Sequence, residues 1–280
     1  MKPSLSLGYF CWACSHFYER WPGSPRCTEC GAIAVQTGMP PQAGGDSPVR
    51  FLGDGGESLL ERRLTGVGPI DHVLQDAKGN RGSVPGQATL MLGEPSGGKT
   101  SLLLVLLSRA PKPLFATLEM GEAAVIARAE AIQIQDFRRI RFTTEAELGA
   151  LEKIVLAEEP SDLVIDSLPH VYDGRRGSPG TVWTTEEASR RLFQIAHSLG
   201  VSVWCVNHIN AKGKSRGSVT VPHNFDVVLK VSVNKRTKPW IRTLECTKNR
   251  TGVTGLSAMI PNDETAEDEH DADGKTPSQA

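Results

Sequence analysis

The sequence lacks any run of about 18 apolar residues, so no segment reads as a membrane span. It also lacks a charge imbalance. Thirty-one Lys and Arg face 32 Asp and Glu, a net charge of -1, so composition makes no case for a polyanionic partner and any basic surface must be local. Residues 1–8 contain no apolar stretch long enough to direct secretion. The expected compartment is therefore the cytoplasm, where thiols stay reduced. Internal repeats are absent as well. What remains, in 280 residues, is room for one large domain or two modest ones with a sizeable core.

The reducing compartment decides how the cysteines are read. Cys11, Cys14, Cys27 and Cys30 form C-x2-C-x12-C-x2-C, two knuckles whose tight turns can aim four thiolates at one tetrahedral Zn²⁺. Four sulfurs leave no open position for water, so such a zinc would be structural. Two disulfides or four unrelated thiols are the alternatives. His16 lies within the loop but is not needed as a ligand. Cys205 and Cys246 stand alone in apolar runs and read as buried thiols.

Beyond Gly31 the chain turns Gly- and Pro-rich without periodicity, the signature of a linker. The expected organisation is a zinc module over 1–34, a linker over 35–60, an α/β domain over 61–260 and an acidic, disordered tail over 261–280. Within the α/β domain, strands are expected at 88–92, 113–118, 163–165 and 201–206, with a hairpin joining 227–233 to 240–246. Helices are expected at 100–109, 121–133, 145–159 and 184–199, the last capped at Thr184 or Thr185. Strands alternating with helices imply a mostly parallel sheet covered on both faces, with an antiparallel hairpin at one edge.

The strand at 88–92 runs into Gly93-Glu94-Pro95-Ser96-Gly97-Gly98-Lys99-Thr100, a G-x4-G-K-[ST] loop followed by Ser101 and a helix. Backbone amides of such a loop, together with the helix N-terminus, cradle phosphate. Lys99 is expected on the β- and γ-phosphates and the Thr100 hydroxyl on Mg²⁺. Asp166 ends an apolar strand, where a carboxylate orients Mg²⁺ across from the loop, whereas Asp162 reads as a solvated cap. Glu119 follows the second strand. It is either the group that activates the attacking water or a helix-start glutamate favoured by the dipole, and the residues alone do not choose.

These pieces together resemble the bacterial RadA (Sms) family of DNA repair ATPases, a branch of the RecA-like P-loop ATPases. The resemblance rests on the four-cysteine module with Arg20-Trp21-Pro22-Gly23, on Thr65-Gly66-Val67, Asp71-His72-Val73-Leu74 and Val84-Pro85-Gly86, and on 172–191 and 208–217. It continues with His223, Asp226-Val227-Val228-Leu229 and Lys248-Asn249-Arg250-Thr251-Gly252. It implies a RecA-like fold, ATP with Mg²⁺ and Zn²⁺, Glu119 as catalytic glutamate and His208 as γ-phosphate sensor. It also implies Lys248 and Arg250 as groups reaching a neighbouring subunit's triphosphate. Two departures stand out. Thr251 replaces the family's Phe, and Gly97 replaces its usual Ile. The resemblance covers about 8–260, and the family's Lon-protease-like domain is not matched.

Two loops combine glycine with basic residues: Arg175 and Arg176 in 173–180, and Lys212, Lys214 and Arg216 in 211–218. Neither carries an aromatic, which suits sequence-independent tracking of single-stranded DNA phosphates; a solvated basic surface is the alternative. The reading is a DNA-dependent ATPase acting in recombination and DNA repair, assembled as a homo-oligomeric ring or filament. The rivals are a nucleotide-binding regulatory protein with weak turnover and a protein-binding signalling ATPase.

Overall fold

The computed structural model describes residues 8–11, 16–18, 22, 24, 26–29, 35–38, 60–173, 178–208, 220–237 and 240–261. The chain divides into two compact units, 1–59 and 60–280.

In the first unit, β1 (Gly8–Cys11) pairs antiparallel with β2 (Phe17–Tyr18) on one side and β3 (Val35–Gly38) on the other. The β3 strand lies inside the stretch assigned to linker. Its polar, Gly-ended sequence gives no strand pattern, but the open edge of β1 supplies backbone partners for it. The Cys11 amide donates to His16 O at 2.9 Å, tying the end of β1 to the residue before β2. Cys11 and Cys27 are buried in one small cluster with Tyr9 and Tyr18 packed against it. Cys14 and Cys30 lie outside the described residues.

The second unit is built on an eight-stranded sheet. In chain order its strands are β4 (Ala88–Gly93), β5 (Pro113–Thr117), β6 (Arg141–Thr143), β7 (Asp162–Asp166), β8 (Ser202–His208), β9 (Val227–Asn234), β10 (Ile241–Asn249) and β11 (Ser257–Ile260). The spatial order is β11-β10-β9-β4-β8-β7-β5-β6. The six strands from β6 to β9 are parallel, and β10 and β11 continue the sheet antiparallel. Thus the expected hairpin is not the edge; β11 is. The strands β6 and β11 are three or four residues long and partly exposed at the two edges, which leaves them little apolar pattern to read.

The helices are α1 (Gly68–Val73), α2 (Lys99–Arg109), α3 (Glu122–Ala131), α4 (Leu148–Glu158) and α5 (Val182–Leu199). Strand alternation sorts the core into two layers. Met91, Phe115, Val164, Trp204, Val206 and Leu229 pack on the α1–α2–α3 side. Leu90, Leu114, Ile165, Val203, Cys205 and Val228 pack on the α4–α5 side. Helix α5 starts two residues before the expected cap. Thr181 Oγ1 accepts from the Thr184 amide at 3.3 Å, while the Thr184 and Thr185 hydroxyls bond back to Thr181 O. Thr181 is thus the N-cap, because its oxygen reaches the orphan amide three residues on.

Asp162 is not solvated. It is 1% exposed, accepts from Arg63 at 2.7 and 2.6 Å through its two oxygens, and takes the Trp204 indole N–H at 3.3 Å. A carboxylate opening a buried central strand needs such partners to offset its desolvation, and they come from 99 residues upstream and 42 downstream. Among the described residues, no helix is long and apolar enough to cross a membrane.

Candidate functional site

Parallel pairing brings the C-terminal ends of four strands together. Gly93 at the end of β4 faces His208 at the end of β8, and Thr117 at the end of β5 faces Asp166 at the end of β7. The phosphate loop, Asp166, Glu119 and His208 therefore gather on one rim. Gly93 leads into the loop, and α2 starts from Gly98, whose φ of +90° suits a residue without Cβ. An added Cβ there would also meet the Arg242 guanidinium at 2.7 Å. Glu94, within the loop, pairs with Lys235 at 3.0 Å. Ser101 is buried one residue beyond Thr100, 3.4 Å from Arg128 Nη1.

Lys99 is 4% exposed, and its Nζ donates to Gly93 O at 3.0 Å and Glu94 O at 2.7 Å. Burial lowers its pKa, and the attraction of Asp166, Glu119 and Glu94 only partly offsets this. Thr100 Oγ1 donates to Asp166 Oδ2 at 2.6 Å. Burial raises the Asp166 pKa against the opposing Thr100 hydrogen bond. A hydroxyl and a carboxylate in contact form the hard-oxygen set that Mg²⁺ takes, so these two residues fit the ion.

The Glu119 carboxylate lies beyond β5 and does not cap α3, whose N-cap is Gly121. It accepts from the Ser167 hydroxyl and from His208 Nε2 at 3.1 Å, with His170 Nδ1 at 3.6 Å. Burial pushes its pKa up, but the hydrogen bonds from Ser167 and His208 outweigh this and leave it below the ordinary value. Glu119 thus stays ionised at neutral pH, the form a general base requires. A depressed carboxylate loses its charge only as pH falls through the folded-state pKa. Replacing His208 by Ala removes one donor, so the Glu119 carboxylate is expected to titrate at higher pH by NMR; an unmoved titration would separate His208 from Glu119. The sequence reading missed Ser167 and His170, because short Ser and His side chains after a strand carry no pattern of their own.

Lys248 and Arg250 lie elsewhere. Asn249 faces Val227, which also faces Thr89, whereas Gly93 faces Val231. The end of β10 therefore sits at the opposite end of the sheet from the loop, four residues or roughly 13 Å away along the strands. Thr251 Oγ1 is 3.2 Å from Gln87 Oε1 and 3.0 Å from Asn249 Oδ1, so a hydroxyl is accommodated here. At Gly252 an added Cβ would fall 2.0 Å from Gln75 O, so the turn closing this motif requires glycine. The five basic loop residues, Arg175, Arg176, Lys212, Lys214 and Arg216, lie outside the described residues.

No family model matches the chain. DNA repair protein RadA from Salmonella typhimurium LT2 and that from Escherichia coli K12 are each 30% identical to it over 285 residues, covering 92% of this chain and 59% of the relative. DNA repair protein RadA of Pseudomonas aeruginosa is 27% identical over 260 residues, covering 87% of this chain and 55% of that protein. The chain thus spans a little over half the length of the curated relatives it matches. A KaiC-like protein from Pyrococcus horikoshii OT3 shares its fold, with a TM-score of 0.57 at 18% identity over 72% of this chain and all of that one. Over about nine-tenths of its length the chain is thus similar in sequence to bacterial RadA proteins, and its second unit has the fold of a KaiC-like protein.

Proposed function

We propose that the chain is a Mg²⁺-dependent ATPase of the RadA type that works on DNA during recombination and repair. The observation that carries this reading is one rim holding Lys99, the Thr100–Asp166 pair and an ionised Glu119. In this reading the loop amides and Lys99 hold the triphosphate, and Thr100 and Asp166 would hold a Mg²⁺ that would supply charge neutralisation. Glu119 orients a water and takes its proton as the oxygen bonds to the γ-phosphorus. The bond to the β-phosphate oxygen breaks, releasing ADP and phosphate. His208, bonded to Glu119 and ending the strand beside β4, links the state of the γ-phosphate to the loop that follows it.

In this reading the end of β10, roughly 13 Å along the sheet from its own loop, would meet a triphosphate only in another copy. Its position favours a ring or filament of identical subunits. The basic loops would track single-stranded DNA through its phosphates, with Arg175 and Arg176 in one and Lys212, Lys214 and Arg216 in the other. Cys11 and Cys27, buried in one cluster, suit a four-thiolate zinc module completed by Cys14 and Cys30. One zinc per chain in protein purified under reducing conditions is the expected result, and its absence by elemental analysis would remove the module.

ATP hydrolysis measured with and without single-stranded DNA, over a range of salt, tests the reading, with Lys99→Ala as the control. Expected are DNA stimulation that weakens with salt and loss of turnover in Lys99→Ala. Nucleotide binding without turnover would favour a regulatory protein, and turnover indifferent to DNA a protein-binding ATPase.

A further inference from the structure

Helix α5 has a face apart from the one it buries. Trp183, Glu186, Glu187 and Arg190 follow one another at i, i+3, i+4 and i+7, the spacing of one helical stripe. Trp183 is 46% exposed in the first turn, beside Val182 at 52%. An exposed apolar side chain alone says little; the surroundings of this one say more.

Opposite the stripe runs the short turn Val221–Asn224. The Thr220 hydroxyl donates to the Glu186 carboxylate, and Asn224 Nδ2 donates to Ser189 Oγ at 2.7 Å. These two bonds fasten the turn to α5. They leave an open cleft of about 280 Å³ lined by Trp183, Glu186, Glu187, Arg190, Thr220 and Asn224. Ligand pockets start at about 300 Å³, so this one suits a single planar ring system. Arg190 grips Glu187 through Nε at 3.1 Å and Nη2 at 2.6 Å. Two carboxylates against one guanidinium leave the lining one negative charge in excess. A phosphate is repelled there, whereas a neutral ring with N–H donors at its edge meets carboxylate, hydroxyl and amide oxygens that accept.

The cleft lies where two basic segments enter the fold. Residues 173–180 run into the first turn of α5, and 211–218 run into Thr220. Arg176 precedes Trp183 by seven residues and Arg216 precedes Thr220 by four. Chain length therefore holds their backbone within about 25 and 14 Å of the cleft walls. A cationic side chain from a protein partner could also stack on an indole. The five basic residues of the flanking segments oppose that occupant and favour a polyanion.

We infer that the cleft is a base-binding subsite, in which Trp183 stacks one unpaired base of a single strand whose phosphates follow the flanking basic residues. This rests on the proposed DNA reading and deepens it, since phosphate contacts alone do not tell a strand with bases from one without. Trp183 supplies the stacking surface that neither basic loop contains. Glu186 keeps the phosphates out and, with Thr220 and Asn224, offers acceptors to an exocyclic amine such as that of cytosine. Stacking tolerates any sequence, because every base has a π-face.

Binding of the intact chain to a short fluorescent oligo(dC) strand and to an abasic strand of the same length, followed by anisotropy, tests the inference. The wild type is expected to hold oligo(dC) more tightly than the abasic strand. Trp183→Ala should weaken oligo(dC) binding by about 5- to 150-fold, the scale of one stacked base, and leave the abasic strand within about twofold of wild type. The salt slope for oligo(dC) should not change, since no phosphate contact is lost. Trp183→Phe, which keeps a ring, should recover most of the affinity.

Equal losses on the two strands, a changed salt slope, or wild-type affinity in Trp183→Ala would overturn the inference. So would a wild type that binds both strands alike, a result that leaves the DNA reading standing. Binding of neither strand removes that reading and this inference together. Should melting show Trp183→Ala to be unfolded, Trp183→Leu keeps apolar bulk and loses the ring. It should show the same loss confined to oligo(dC), and wild-type binding would overturn the proposal.

Discussion

Glu119→Gln is expected to lower kcat for ATP by about 10² to 10⁴-fold, the range for losing a positioned general base, with nucleotide affinity within a few-fold of wild type. The amide keeps the volume and one acceptor for Ser167 and His208, but it cannot take a proton. Nothing in the contacts of Lys99 or Thr100 depends on the Glu119 charge. Its attraction to Lys99 ranks after burial and Asp166 among the influences on that lysine. A glutamate that merely favoured the start of α3 would behave otherwise, costing about 0.3–1 kcal/mol of stability and no turnover. Single-turnover hydrolysis beside equilibrium binding of fluorescent ADP separates the two outcomes.

Asp162→Ala is expected to cost about 2–3 kcal/mol of unfolding free energy, below the 3–5 usual for breaking a fully buried pair because Arg63 is a third exposed. The substitution strands the Trp204 indole N–H in the core and leaves a guanidinium facing an apolar strand end. Asp162→Asn should recover part of the loss, since it still accepts from both partners. Urea unfolding, with the midpoint falling and the slope unchanged, is the check. A change within about 0.5 kcal/mol, the ordinary value for surface substitutions, would restore the solvated-cap reading.

Asp166 and Asp162 differ in how much of their surroundings a local pattern carries. Asp166 was legible because the phosphate loop supplies a reason for a carboxylate at a strand end. Asp162 was not, because its partners come from distant chain segments and meet it only once β7 and β8 pair. The strands β4, β5, β7 and β8 were legible in their apolar runs, since a strand covered on both faces has no polar face to blur it. The edge strands β6 and β11 are short and half-wet, so pairing and not composition makes them strands. Thr181 is hidden as the cap of α5 because Thr184 and Thr185, followed by two glutamates, carry a stronger local signal. The Lys248-Asn249-Arg250 motif was visible, but its place at the far end of the sheet follows only from β9 lying beside β4.

Binding of Mg²⁺–ATP to the intact chain and to Lys99→Ala, measured by calorimetry with and without Mg²⁺, tests the central claim most directly. The account predicts one nucleotide per chain, affinity that depends on Mg²⁺, and loss of binding in a folded Lys99→Ala protein. No binding to the intact chain, or equal binding by both proteins, would contradict it.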